Sequence, residues 1–155
     1  MEQSAPQPTP LPDRVACLSL PLAETTLLVP VTAVAEVTTH GTVAGPAEGF
    51  CYGTFDWRTL RIPLISFEAF AGRPRPDLSG EGRVAVVNAV GAAAGVGFYG
   101  LRLQGLPSPL QVGEADCRGA RKPDVRGVVA ALSLAGRECW LPDLEALEAA
   151  LAALT

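Results

Sequence analysis

Glycine and proline interrupt this chain so often that no long helix can form over most of its length. Its 155 residues include 16 glycines and 14 prolines, which divide the sequence into short apolar segments up to about residue 142. Many segments alternate apolar and polar residues and are rich in valine, isoleucine and aromatic residues, a pattern typical of β-strands. The chain is therefore predicted to be mainly β.

The predicted strands fall into two groups of four or five, separated by a linker. The linker is “GRPRPDLSGEG”, residues 72–82, which is polar and broken by glycine and proline. Before it come “VACLSLPL” and “TTLLVPV” around a hairpin turn at “AET”, then “AVAEVTT”, the loop “GTVAGPAEG”, and “FCYGTFDW” paired with “LRIPLISF”. After it come “RVAVVNAV”, “GVGFYGLRLQGL”, “VRGVVAALSL” and “RECWLP”.

The period of the pattern changes at the end of the chain. “PDLEALEAALAAL” places Leu144, Leu147, Leu151 and Leu154 at spacings of three and four, which is one apolar stripe of a helix that starts near residues 142–143. We expect this stripe to cover the β layers of its own domain, although it could instead pack on a neighbouring molecule in a self-associating scaffold.

Length and spacing predict one domain from 14 to 155 after a flexible, proline-rich tail at 1–13. Strands at this spacing suggest barrels or a sandwich. The two groups are similar in size, which suggests two small barrels that share one chain, although no repeat is visible residue by residue.

Composition excludes several classes of protein. The net charge is −4 and no run of lysine or arginine occurs, so nucleic-acid binding is not expected. The proline-rich start lacks the basic and apolar regions of a signal peptide. The apolar runs are far shorter than the roughly 18 residues of a membrane span. We therefore predict a soluble, cytoplasmic protein without membrane insertion.

The stretch “GVGFYG”, residues 95–100, has the glycine spacing of a dinucleotide-binding loop. Such a loop must follow a strand and open a helix whose amides hold the pyrophosphate. The strand “RVAVVNAV” is present upstream, with Glu114 or Asp116 as a carboxylate near the expected distance. However, the glycines and prolines of “FYGLRLQGLPSPL” would break the helix. The sequence instead favours a hairpin that turns at “GAAAG”, with Gly97 and Gly100 at a bulge or a close backbone approach.

The chain carries little apparatus for catalysis or metal binding. Its four cysteines have no ligand spacing; Cys17, Cys51 and Cys139 are expected to be buried and inert, and Cys117 exposed. His40, the single histidine, is expected at the surface. No hydrolase, zinc-protease or phosphate-loop motif occurs. No catalytic residue, cofactor or metal is predicted.

The segment “GTFDWRTLRIPLISFEAF”, residues 53–70, resembles the CheW-like domain family. Gly53, Arg58 and Pro63 match a glycine, an arginine and a proline of the family pattern. The segments “LSLPLAETTLLVPVTAVAEV”, “VAVVNAVGAAAGVGFYGLRLQGL” and “VRGVVAALSLAGRECWLPDLEAL” resemble the family's opening, central and closing patterns in the same order. The resemblance covers residues from about 15 to 155.

This resemblance implies two intertwined five-stranded SH3-like β-barrels with a C-terminal helix. It implies a non-catalytic adaptor that couples chemoreceptors to a CheA-type histidine kinase. The kinase partner would be its own CheW-like regulatory domain, and the receptor partner would be the cytoplasmic tip of a methyl-accepting chemoreceptor. The partner-binding residues carried over are Gly53, Trp57, Arg58, Val34 and Glu36. Trp57 could instead be a core residue, and Arg58 could instead form a salt bridge within the fold.

The chain departs from the family pattern at several positions. Thr59 replaces the glycine after the arginine, Ser66 stands where the strand usually ends in an acidic residue, and Leu101 replaces an aspartate. “FDWRTLRIPLISFE” is more similar to accessory CheW-like proteins of type IV pilus chemosensory systems than to the flagellar scaffold.

A small-molecule-binding or enzymatic β-barrel is the alternative interpretation. A pocket with converging polar groups would favour it. Two barrels with an open groove between them would favour the adaptor.

Overall fold

The computed structural model describes residues 14–91 and 97–154 and contains ten strands and two α-helices in that part of the chain. One-turn 3-10 helices cover Val31–Ala33 and Glu114–Cys117. The predicted tail and most of the predicted “GAAAG” turn lie outside the described residues. The elements are β1 (Arg14–Pro21), β2 (Thr26–Pro30), β3 (Val34–Thr39), β4 (Cys51–Trp57), β5 (Leu60–Ile65), α1 (Phe67–Phe70), β6 (Arg83–Asn88), β7 (Phe98–Arg102), β8 (Ser108–Gly113), β9 (Val128–Leu134), β10 (Arg137–Pro142) and α2 (Leu144–Ala152).

The strands form two five-stranded sheets whose order interleaves the two halves of the chain. Sheet I has the order β8-β1-β2-β10-β9, and sheet II has the order β3-β6-β7-β5-β4. The loop at 72–82 therefore lies between two strands of sheet II and not between the sheets. The mainly β, intertwined architecture with a C-terminal helix is confirmed.

Side chains, and not a closed ladder of hydrogen bonds, bring the edges of each sheet together. Among the described residues, neither strand order closes into a ring. In sheet II, Phe55 of the edge strand β4 shares one apolar cluster with Val84 and Val86 of β6, the strand next to the other edge. In sheet I, Val112 of β8 and Leu132 of β9 come from opposite edges and share another. Each sheet is thus curled around its own small core, as in an SH3-like barrel.

A third and larger core joins the two sheets and both helices. It contains Leu27 of sheet I, Leu101 of sheet II and Leu147 of α2, all at 0% exposure. Burial of so much apolar surface between the sheets is the main force that holds them together.

The C-terminal helix forms as the leucine spacing predicts. Asp143 caps it by accepting a hydrogen bond from the Ala146 N–H at 3.0 Å. Leu147 and Leu151 are buried, and Leu144 and Leu154 pack against the large core. The apolar stripe is therefore covered by the protein's own sheets.

The sequence did not predict β8 or α1. Pro107 and Pro109 argue against a strand, but β8 is an edge strand of sheet I, where a missing N–H is tolerated. Helix α1 has one turn, and its cap is the Ser66 side chain, which accepts from the Ala69 N–H at 3.1 Å. A single turn is too short to give a periodic signal.

The stretch “GVGFYG” leads into a strand and not into a helix. Strands β6 and β7 are antiparallel, so the hairpin prediction is confirmed and the dinucleotide loop is excluded. Gly100 is a close approach, because a Cβ there would lie 2.7 Å from both Phe55 Cε1 and Val84 Cγ1. Gly97 is not a close approach, since no atom lies within 4 Å of its Cβ position.

Candidate functional site

The β4–β5 hairpin presents Arg58 at its tip. Trp57 pairs with Leu60 across the hairpin, which leaves Arg58 and Thr59 as a two-residue turn. Arg58 has a φ of 55°, in the left-handed region that residues with a Cβ rarely adopt. Its side chain is 64% exposed. The turn therefore holds a long cation in a strained position at the surface.

The buried ring of Trp57 contacts the Arg58 side chain. It is 5% exposed, and its ring packs against Phe98 with 4.9 Å between centroids. The Arg58 guanidinium lies over the Trp57 ring at 4.4 Å, a cation–π contact. Trp57 is therefore a core residue that also orients an exposed charge.

Glu36 of β3 completes a cluster with these two residues. One carboxylate oxygen, Oε1, accepts from Trp57 Nε1 at 3.3 Å and from Arg58 Nη2 at 3.1 Å. Strands β3 and β4 are opposite edges of sheet II, so the cluster links the two edges of the curled sheet. Both charged side chains are more than a third exposed, and such pairs add at most about 1 kcal/mol of stability. Stability alone gives little reason for the arrangement.

The two other predicted site residues lie elsewhere in sheet II. Gly53 has a φ of 131°, and a Cβ there would lie 2.4 Å from the Ala44 carbonyl oxygen, so the 41–49 loop requires glycine at this position. Val34 pairs with Val87 and packs against the large core. Their roles in partner contact stay predictions.

A second tryptophan–glutamate–arginine cluster was not foreseen. Glu138 of β10 accepts from Trp140 Nε1 at 3.0 Å and from Arg121 Nη2. These two hydrogen bonds lower the pKa of the Glu138 carboxyl, with the tryptophan contributing most. The stretch “RECW” indicates the contact between Glu138 and Trp140, because residues two apart on a strand share a face.

A cleft adjoins this second cluster. It is lined by Ala23, Glu68, Arg73, Arg75 and Trp140 among others. The Arg73 guanidinium lies over the Trp140 ring at 5.2 Å, and Arg73 also pairs with Glu24 at 3.6 Å. The cleft is open and mostly apolar, with arginines at its rim.

The cysteine predictions are largely confirmed. Cys17 and Cys139 are buried, Cys51 is half-buried and Cys117 is exposed. Burial raises the pKa of the Cys17, Cys51 and Cys139 thiols, which keeps them protonated and unreactive.

The described residues offer neither a metal site nor a membrane-spanning helix. No group of three or more histidine, cysteine, aspartate or glutamate side chains could hold a metal ion in that part of the chain. Within the same residues, no helix is long and apolar enough to cross a membrane.

Comparison with known proteins decides the family. The model of the CheW-like domain matches residues 16–151. The chain belongs to the CheW-like domain family. Among solved structures, this CheW-like domain is similar to the scaffolding protein TtCheW from Thermoanaerobacter tengcongensis, with a TM-score of 0.68 and 16% sequence identity over 83% of this chain and 88% of that chain. A search of curated proteins found no significant match.

Proposed function

We propose that this CheW-like domain is a non-catalytic cytoplasmic adaptor in chemosensory signalling. It couples the cytoplasmic tip of a methyl-accepting chemoreceptor to a CheA-type histidine kinase, whose CheW-like regulatory domain it binds. Membership of a family with scaffolding members supports this role. The departures from the flagellar pattern favour a type IV pilus pathway.

The arrangement of Arg58 on Trp57 and Glu36 carries the proposal. Tryptophan and arginine dominate the energy of many protein interfaces, where they act as anchors. Here the tryptophan is locked in the core and the arginine is held above it, so little side-chain entropy is lost when a partner binds. Strained backbone at such a position is typical of functional sites.

Arg61 provides a matched control for this arginine. It lies on the same hairpin, its side chain is 56% exposed, and it pairs with Asp56 at 3.3 Å, away from the Trp57 ring. Truncation of either arginine removes one exposed ion pair and one further weak contact, with the Trp57 ring for Arg58 and with the Thr54 hydroxyl for Arg61. The two variants should therefore differ in partner binding but not in stability.

The test uses the purified regulatory domain of a CheA-type kinase and a receptor fragment that contains the tip, both from the same genome. Arg58→Ala should weaken binding of at least one of them by roughly tenfold or more. Arg61→Ala should stay close to the unaltered protein. Calorimetry gives the Kd, and circular dichroism checks the fold. Equal binding by both variants, or no binding by the unaltered protein, would contradict the proposal.

A small-molecule-binding or enzymatic barrel is the second candidate, favoured by the cleft beside Trp140 and Arg73. A thermal-shift screen with metabolites tests it. A shift that Trp140→Ala abolishes, in a protein that binds neither signalling partner, would support this candidate over the adaptor.

A further inference from the structure

His40 is the single histidine of the chain and is held by three hydrogen bonds. Its N–H donates to the Gly82 carbonyl at 2.9 Å, which extends the pairing of β3 with β6. Its Nδ1 contacts the Gly41 carbonyl at 2.6 Å, and its Nε2 contacts Arg102 Nε at 3.2 Å. A carbonyl oxygen can only accept and an arginine can only donate, so the two partners determine the tautomer of the ring. Nδ1 carries the proton and donates to Gly41, and Nε2 accepts from Arg102.

Arg102 of β7 is a buried cation, at 2% exposure. Besides His40, it donates to the carbonyl oxygens of Leu103 and Ser79. These neutral acceptors replace the water that a buried guanidinium loses, and the imidazole is one of them. Through Ser79 and His40, the arginine ties the loop at 72–82 and the end of β3 to β7.

Other charged groups near this contact are already engaged. Glu81 of the loop pairs with Arg83 of β6 at 2.5 Å, and Asp77 accepts from the Ser79 N–H at 3.1 Å. Hydrogen bonds from Ser79 and, less strongly, the Arg102 charge lower the pKa of the Asp77 carboxyl, so Asp77 stays charged while His40 titrates. The backbone of Gly82 lies against the ring, since a Cβ there would be 2.9 Å from His40 Nε2. From β4, the element on the other side, His40 meets the uncharged Phe55 ring.

We propose that the hydrogen bond between His40 and Arg102 is acid-sensitive and that it holds the end of β3 and the loop at 72–82 in place. Protonation of Nε2 removes the acceptor of the Arg102 Nε–H and places a second cation against it. The contact must then open. The structure around Arg102 loosens, while the large core and α2 stay intact.

The direction of the pH dependence follows from the environment of the ring. Burial lowers the pKa of His40 below its ordinary value of 6.5; the hydrogen bond to the Gly41 carbonyl offsets part of this effect, and the Arg102 charge adds a smaller decrease. The folded protein therefore binds fewer protons than the unfolded chain in this range. The contribution of His40 is complete above about pH 6.5 and is lost as the pH falls from there through the lowered value.

One measurement needs no variant. Because His40 is the only histidine, its imidazole gives a single set of NMR signals in the full chain. We expect these signals to titrate below pH 6.5 and to report the Nδ1–H tautomer at neutral pH. The backbone signals of residues 77–82 and of β3 should shift with the same midpoint. A pH midpoint of the His40 signals at or above 6.5, or backbone signals of residues 77–82 that do not shift with pH, would overturn the proposal.

A second measurement separates His40 from the carboxylates. In His40→Gln, the side-chain oxygen can accept from Arg102 but cannot be protonated. Between about pH 7.5 and about pH 5, the Tm of the unaltered protein should fall by about 3 °C more than that of the variant. An equal decrease of Tm in the two proteins would refute the proposed acid sensitivity of the contact between His40 and Arg102.

Discussion

Sheets I and II share one pairing pattern although their sequences show no repeat. In each, an antiparallel hairpin (β1–β2 or β6–β7) joins a second one (β9–β10 or β4–β5) through a parallel pair. A helix follows each sheet's parallel strand, α1 after β5 and α2 after β10. Each helix then sends a buried glutamate to the hairpin turn of the other sheet. These two reciprocal carboxylate clamps add to the large apolar core that holds the sheets together.

The two sheets differ at one pair of corresponding turns. Between β9 and β10, the turn residues Ala135 and Gly136 have φ values of 51° and 77°, and small residues are the usual solution there. Between β4 and β5, the same left-handed position holds Arg58. The two turns differ in type, because Arg58 has a positive φ and Thr59 does not, but the β9–β10 turn shows that a small residue can occupy the first position. Turn geometry alone therefore does not require an arginine at this position, which agrees with the proposed role of Arg58 in binding.

The largest predicted effect tests the two clamps against each other. Glu148 accepts from the N–H groups of Val90 and Gly91 at 3.0 and 2.7 Å and from the Tyr99 hydroxyl at 2.9 Å. Among the described residues, the Glu68 side chain accepts from Ala23 N–H and Ser66 Oγ. Glu148→Ala should lower the free energy of unfolding by about 3 to 5 kcal/mol, because it leaves the buried Tyr99 hydroxyl and two part-buried N–H groups without their acceptor.

The matched variant Glu68→Ala should cost about 1 to 3 kcal/mol, since fewer donors lose their acceptor. Glu145→Ala is the control, because this glutamate is exposed on the same helix as Glu148. Urea denaturation gives all three values. An order in which Glu68→Ala costs more than Glu148→Ala would show that the clamps are not ranked by their hydrogen bonds.

The next effect concerns the parallel pair inside each sheet. At that pair, β7 of sheet II has Gly100 and β2 of sheet I has Thr26. A methyl group at Gly100 would overlap Phe55 and Val84, so Gly100→Ala should cost about 1 to 3 kcal/mol. Gly97→Ala should change stability by less than about 0.5 kcal/mol, because its Cβ meets open space. Equal changes in the free energy of unfolding for the two variants would mean that the neighbours of Gly100 move apart and accept a methyl group without strain.

Local patterns predicted most of the strands, and the reason is visible in β10. “RECWLP” changes from charged to apolar residues, follows an Ala–Gly turn and precedes a capped helix, and the strand covers Arg137–Pro142 as predicted. Strand β8 was missed because proline disfavours strands locally, whereas its edge position is a property of the whole sheet. Sheet membership is equally non-local, so the interleaving came only from resemblance.

The same distinction applies to the candidate site. Trp57 and Arg58 are neighbours in the chain, and their contact could be anticipated from the hairpin. Glu36 lies more than twenty residues earlier, on the opposite edge of the sheet, and only the family pattern pointed to it. His40 was expected at the surface, but it is half-buried against Arg102, 62 residues away. No period in the sequence encodes such a contact.

The smallest predicted effect sharpens the comparison of the two turns. Glycine adopts a left-handed φ without strain, so Ala135→Gly should raise the free energy of unfolding by about 0.5 to 1 kcal/mol. Arg58→Gly relieves the same strain but loses the exposed pair with Glu36 and the stacking on Trp57, so its net change should be within about 0.5 kcal/mol of zero. Urea denaturation measures both.

The variants Ala135→Gly and Arg58→Gly should differ clearly in their affinity for the partner fragments. Ala135→Gly should leave the affinity for kinase and receptor fragments unchanged, whereas Arg58→Gly should weaken at least one of them as strongly as Arg58→Ala. A folded Arg58→Gly protein that binds normally would mean that the strained arginine is not an anchor. A strongly destabilised one would mean that the cluster with Glu36 and Trp57 serves the fold, as the closure of sheet II across its two edges also allows.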